Sequence, residues 1–189
     1  MTRRNGTAAN DFANLPTELA TRHRDLMDAM INGKDPIGEW SASDGPYVRA
    51  YAPEAIAKIV IGAYHPMLAR RAIAFLWREK MTRNGKITLG KASVAGGKIR
   101  HFGKVDFVID FNWEAWQHLT PRERVALVDH ELTHCATDGD SLKPIMIPHD
   151  VEEFGSIVSK WGLWQPDLEA FGKVVTEAAQ MSLFESAPA

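Results

Sequence analysis

The spacing of apolar positions changes period several times along the chain. The first dozen residues are polar and carry no pattern. Leu19, Leu26, Met27 and Met30 then recur at helical intervals over residues 16–32, with Gly33 as a stop. Gly33, Pro36, Gly38, Gly45, Pro46 and Pro53 punctuate the next stretch, which reads as a linker or an irregular wrap. Ile56, Ile59, Val60 and Ala63 restore the helical period over residues 54–64, and Pro66 follows closely.

From residue 73 the period shifts toward two. Residues 73–78 and 86–92 predict two strands joined around Asn84-Gly85, a dipeptide suited to the positive φ angles of a tight hairpin. Val105, Phe107, Ile109 and Phe111 alternate with Asp106, Val108 and Asp110, which predicts a half-buried strand. Thr120-Pro121-Arg122-Glu123 then supplies an N-cap threonine, a proline whose missing N–H costs nothing at the first helical position, and a glutamate that closes a capping box. A helix therefore begins near Pro121, with Gly139 as its expected stop and Val125, Val128, Leu132, Cys135 and Ala136 on one apolar face. Asp150 with Glu153 repeats the capping pattern before Val151, Phe154, Ile157, Val158 and Trp161, and Gly162 ends that second helix.

This order predicts an α+β domain, a small mixed or antiparallel sheet packed on the helix that starts at Pro121, with further helices after it. Residues 1–50 are expected to form an N-terminal extension, residues 51–182 the folded domain and residues 183–189 a tail. At 189 residues and 45% hydrophobic content, the chain can bury one good core.

The chemistry concentrates in the helix that starts at Pro121. His130-Glu131-Leu132-Thr133-His134 places two imidazoles about one turn apart, almost opposite the apolar face, where they can hold one Zn²⁺ per chain. A metal in that position lowers the pKa of a water, and Glu131 is placed to take the proton as general base. A catalytic zinc generally has three protein ligands. His149 is the preferred third ligand, because Pro148 fixes a short turn just before the second helix. Glu152 and Glu153 stand as acidic alternatives. Asp150 or Asp129 is a candidate to orient a ligand imidazole through its second nitrogen. Cys135 lies 100° round the helix from His134, on the apolar face, and reads as a small buried hydrophobe.

The run Asp129 to Cys135, then His149 to Phe154 and Trp161-Gly162-Leu163-Trp164, resembles a family of small zincin-like metallopeptidases of phages and prophages. Ile73 to Trp77, Leu89-Gly90-Lys91-Ala92 and Val105 to Ile109 extend the likeness over roughly residues 53 to 165. A more distant similarity is to SprT-like proteases. These resemblances imply a zincin-like fold, His130, His134 and His149 as zinc ligands, and Glu131 as the general base. They also imply that an extended substrate pairs with a sheet edge above the active-site helix, with residues 105–111 as the expected edge strand.

Charge and targeting signals narrow the setting. A net charge of −2 and a pI near 6.4 give no global attraction to nucleic acid. Arg70, Arg71, Arg78, Lys80 and Arg83 are too sparse for a basic groove, and read as a solvated face. No apolar run is long enough to span a bilayer, the start lacks the apolar core of a signal peptide, and the single cysteine cannot form an internal disulfide. The expectation is a cytoplasmic zinc-dependent hydrolase with a polypeptide substrate, in the bacterial host cell if phage-encoded. The alternative is a binding or regulatory module on the same scaffold, with zinc structural or absent. Asp138-Gly139-Asp140-Ser141 reads as a turn rather than a calcium loop, and nothing in the spacing of Tyr64, His65, His101 or His118 selects one of them to stabilise an oxyanion.

Overall fold

The computed structural model describes residues 45–151, 158, 161–163 and 166–185. The helix expected over 16–32, the linker before residue 45, and Glu152 and Glu153 lie outside the described residues. Two compact units divide the chain, Met1–Ile147 and Pro148–Ala189.

The first unit is α+β. Its described elements run β1 (Val48–Arg49), α1 (Tyr51–Tyr64), a 3₁₀ turn (Pro66–Arg70), β2 (Ile73–Arg78), β3 (Thr82–Arg83), β4 (Lys86–Ile87), β5 (Gly90–Val94), α2 (Gly97–Gly103), β6 (Phe107–Asn112), α3 (Trp113–Trp116), α4 (Pro121–Thr133), β7 (Cys135–Thr137) and β8 (Pro144–Met146). Four strands form one sheet in the order β1-β2-β6-β5, with β2 and β6 parallel and the two outer pairs antiparallel. The small pairs β3-β4 and β7-β8 stand apart from it.

Strand register explains the core. Ile73, Phe75 and Trp77 pair with Phe107, Ile109 and Phe111, so these side chains share one face of the sheet. Phe75, Trp77, Phe107, Ile109 and Phe111 are buried there in one cluster with Ile56, Ala57 and Val60 of α1 and Val125, Val128 and Leu132 of α4. Of the predicted stripes, Ile56 and Val60 in α1 and Val125, Val128 and Leu132 in α4 are buried, while Ile59 and Ala63 are only half-buried. Thr120 and Glu123 form the expected capping box, with Glu123 N–H to Thr120 Oγ1 at 3.3 Å and Thr120 N–H to Glu123 Oε2 at 2.8 Å. Thr120→Ala is expected to cost about 1 kcal/mol, a loss of roughly 2–4 °C in Tm. Thermal unfolding followed by circular dichroism checks this, and an unchanged Tm would deny the cap its role.

Four local expectations are corrected. Asn84 and Gly85 do turn a hairpin, with φ of 53° and 75°, but it joins only β3 to β4. Strand 73–78 pairs with β1 and β6 rather than with the strand after the turn, because the dipeptide fixes local φ and leaves long-range partners open. Buried Asn112 anchors this excursion, donating from Nδ2 to the carbonyls of Thr88 at 3.0 Å and Met81 at 3.3 Å. Second, β6 lies between β2 and β5, so residues 105–111 are no sheet edge; among the described residues the outer strand on that side is β5. Third, the stretch expected as a linker or an irregular wrap contains, in its described part, β1 and the start of α1. Fourth, α4 ends at Thr133 rather than near Gly139, because Cys135, Ala136 and Thr137 pair with Met146, Ile145 and Pro144 as β7 and β8. Asp138 turns that hairpin: its Oδ1 accepts the Ser141 N–H at 2.7 Å, as the turn reading requires.

The second predicted helix lies largely outside the described residues; in the second unit Gly162 has a φ of 70°, and its N–H is bonded to the Val158 carbonyl at 2.9 Å. Trp161, expected on a buried stripe, is 72% exposed. A long helix, α5 (Pro166–Glu185), follows.

Candidate metal centre

The centre is assembled at the C-terminal end of α4. Val125, Val128 and Leu132 are buried, which turns His130 outward and leaves it exposed on the opposite side. His134 is the C-cap, and its φ of −67° and ψ of −22° keep it on the helical path. The four-residue spacing therefore still stacks the two rings, with centroids 4.9 Å apart and planes at 89°.

A second pair of contacts fixes His134. Its Nδ1 lies 2.7 Å from the Ile147 carbonyl oxygen, and the Ile147 N–H donates to the His134 carbonyl at 2.8 Å. A carbonyl can only accept, so Nδ1 carries a proton, and in the neutral imidazole Nε2 is then the nitrogen left to bind a metal. That orients the imidazole as a metal ligand is usually oriented. The sequence nominated Asp129 or Asp150 for such a role. Asp129 instead engages His65, with Oδ1 2.6 Å from Nε2, and this pair ties the end of α1 to α4. No residue pattern announces the Ile147 carbonyl, because every residue has one.

His149 follows Ile147 by two residues. One ligand nitrogen each from His130, His134 and His149 lie within 4.8 Å of one another. Around a tetrahedral zinc, with Zn–N near 2.0–2.1 Å, such nitrogens stand about 3.4 Å apart. Imidazole rotation closes a gap of that order, and three neutral imidazoles are a suitable donor set for zinc.

Glu131 behaves differently from its neighbours. Only 4% exposed, it is the buried carboxylate among the described residues, lying under β5 where the Ala92 backbone N–H favours its charged form. Burial is the larger influence and raises its pKa above the usual carboxylate range, while His134 and the Ala92 N–H pull it back. Gly90 of β5 makes room: a Cβ there would stand 2.5 Å from Glu131 Oε1. A glycine inside a strand signals a close approach, which is the one clue the sequence held.

Cys135 is buried, as expected, but on β7 rather than on a helix. Burial first and the Glu131 charge second push its thiol up to about 12, so it stays protonated and unreactive. His101 and His118 are exposed, the former edge-on to Phe102 at 4.8 Å.

Three convergent imidazoles at a helix end in an α+β domain can bind a metal ion. Residues 45–177 match the family described as "Putative phage metallopeptidase", and the chain belongs to that family. The match is wider at both ends than the likeness carried by the motifs. No curated protein and no solved structure matches the chain. Membership in a peptidase family implies a polypeptide substrate. Among the described residues no helix is long and apolar enough to cross a membrane.

Proposed function

We propose that this protein is a zinc-dependent peptidase, with His130, His134 and His149 as the ligands of one zinc and Glu131 as general base. The observation that carries the reading is the convergence of three imidazole nitrogens within 4.8 Å, beside a buried carboxylate contributed by the residue after His130. When bound, zinc supplies the Lewis acidity that brings a water's pKa toward neutrality. Glu131 holds the proton taken from that water and passes it to the leaving amine. Burial keeps its carboxylate away from bulk solvent, and the edge of β5 fixes where it stands. An extended substrate that pairs through its main chain would add to β5, the outer strand, since β6 is paired on both sides. A cytoplasmic site of action, in a bacterial host, fits the phage family and the single buried thiol.

Zinc per chain, measured by elemental analysis on protein purified without a histidine tag or added metal, tests the ligand set. One zinc in the wild type and a large loss in His149→Ala is the expected result. Undiminished zinc in that variant would move the third ligand to Glu152 or Glu153. A folded wild type that takes up no zinc after equimolar addition would replace the hydrolase with a binding module. Substrates are found by comparing protein termini in bacterial cells carrying the wild type and Glu131→Gln.

A further inference from the structure

We infer that Gly90 is a positioning residue for Glu131: the side chain missing from β5 is the space that the carboxylate arm fills. The inference deepens the peptidase reading and takes the role of Glu131 from it.

A Cβ at position 90 would stand 2.5 Å from Oε1 of Glu131 and 2.9 Å from both Cδ and Cγ. Three bonded atoms of one arm meet the added methyl, so swinging the terminal oxygen alone does not relieve the clash. With Glu131 only 4% exposed, the arm has little space to retreat into. Nor does the backbone explain the glycine. The described glycines with positive φ are Gly45, Gly85 and Gly162, and at Gly90 any L-residue could adopt the chain path. Glycine inside a strand costs stability, so its presence needs a reason of space.

The register of β5 supplies the rest of the socket. The Asn112 N–H donates to the Leu89 carbonyl and the Ala95 N–H to the Asp106 carbonyl, each at 2.9 Å. Alternation along an antiparallel pair then turns the main-chain groups of Leu89, Lys91 and Ser93 toward β6, and those of Gly90, Ala92 and Val94 outward. Ala92 thus has an N–H to present to the carboxylate, and Gly90 two residues earlier has no side chain to obstruct it. Any larger residue at 90 pushes the acid off this edge.

A thermal-unfolding cycle on the full-length, chelator-treated protein tests the contact without reference to catalysis. Gly90→Ala alone is expected to lower Tm by about 3–8 °C, the effect of overpacking a filled site. In a Glu131→Ala background the same change should cost nothing or raise Tm, because the methyl enters vacated space. Equal losses in both backgrounds overturn the inference. Should Gly90→Ala fail to fold, a folded double variant supports the contact and an unfolded one overturns it. The positioning role is then read on a protein cleaved in the comparison of cellular termini. Gly90→Ala should keep its zinc, hold KM within about twofold and lose about 10²-fold in kcat, as a misplaced reacting group does. Strong coupling with unchanged kcat would leave a packing contact and overturn the positioning role. If the wild type cleaves nothing, the peptidase reading falls, and the cycle still decides whether Gly90 holds Glu131.

Discussion

Glu131→Gln is expected to keep its zinc and to lose about 10²–10⁴-fold in hydrolysis, the range attributed to removal of a positioned general base. The amide nearly matches the carboxylate in size, so it occupies the space beside Gly90 with little repacking. It has no charge to accept a proton. Since the three imidazoles make up the proposed ligand set, metal content should stay at the wild-type value. Zinc by elemental analysis and cleavage rate on the same preparation make the measurement. A Gln variant that cleaves at the wild-type rate would remove Glu131 from the mechanism and leave the imidazole cluster as a metal site alone.

The largest effect on folding should come from Trp77→Ala. Trp77 is wholly buried, and its ring meets Trp113 at 5.1 Å, Trp116 at 5.2 Å and Phe111 at 6.1 Å between centroids, all edge-on. Removing a large aromatic from such a site costs about 3–5 kcal/mol. Against total stabilities of about 5–15 kcal/mol, that is a substantial fraction of what holds a domain together. A fall in Tm on the order of 10 °C follows. Urea denaturation checks the magnitude, and a loss under about 1 kcal/mol would show that the core does not depend on this cluster. Trp77 stands on β2, which pairs with β6, and the Ile109 and Phe111 of β6 lie opposite Ala92 and Gly90 of β5. Loosening the cluster therefore also loosens the strand beside Glu131.

What the sequence made legible was whatever depends on neighbours along the chain. Thr120-Pro121-x-Glu123 marked the start of α4, and the four-residue spacing of His130 and His134 foretold rings stacked on its outer side. His149, chosen for its place behind Pro148, contributes to the imidazole group. Features fixed by distant partners were not legible. Nothing in 105–111 says that both flanks are paired, because alternation reports on the faces of a strand and is silent about its edges. The end of α4 was misplaced because Cys135, Ala136 and Thr137 fit a helical stripe on paper and acquire strand geometry only through β8. Glu131 reads as a polar neighbour of the histidines until β5 covers it. Its burial belongs to the tertiary fold, as does the tie between Asp129 and His65.

The double link between His134 and Ile147 closes a ring of chain whose ends are pinned at both backbone and imidazole. Whatever lies between Asp138 and Lys143 is an excursion from that clasp and back, bridged where the Asp138 N–H meets the Lys143 carbonyl at 2.9 Å. The distance in sequence from His134 to His149 is therefore not what brings the donors together. A tip of another length on this hairpin would leave the clasp between His134 and Ile147 as it is. In this chain the imidazoles are linked through the helix that carries His130 and His134, the carbonyl of the residue just after β8, and a histidine two residues beyond it.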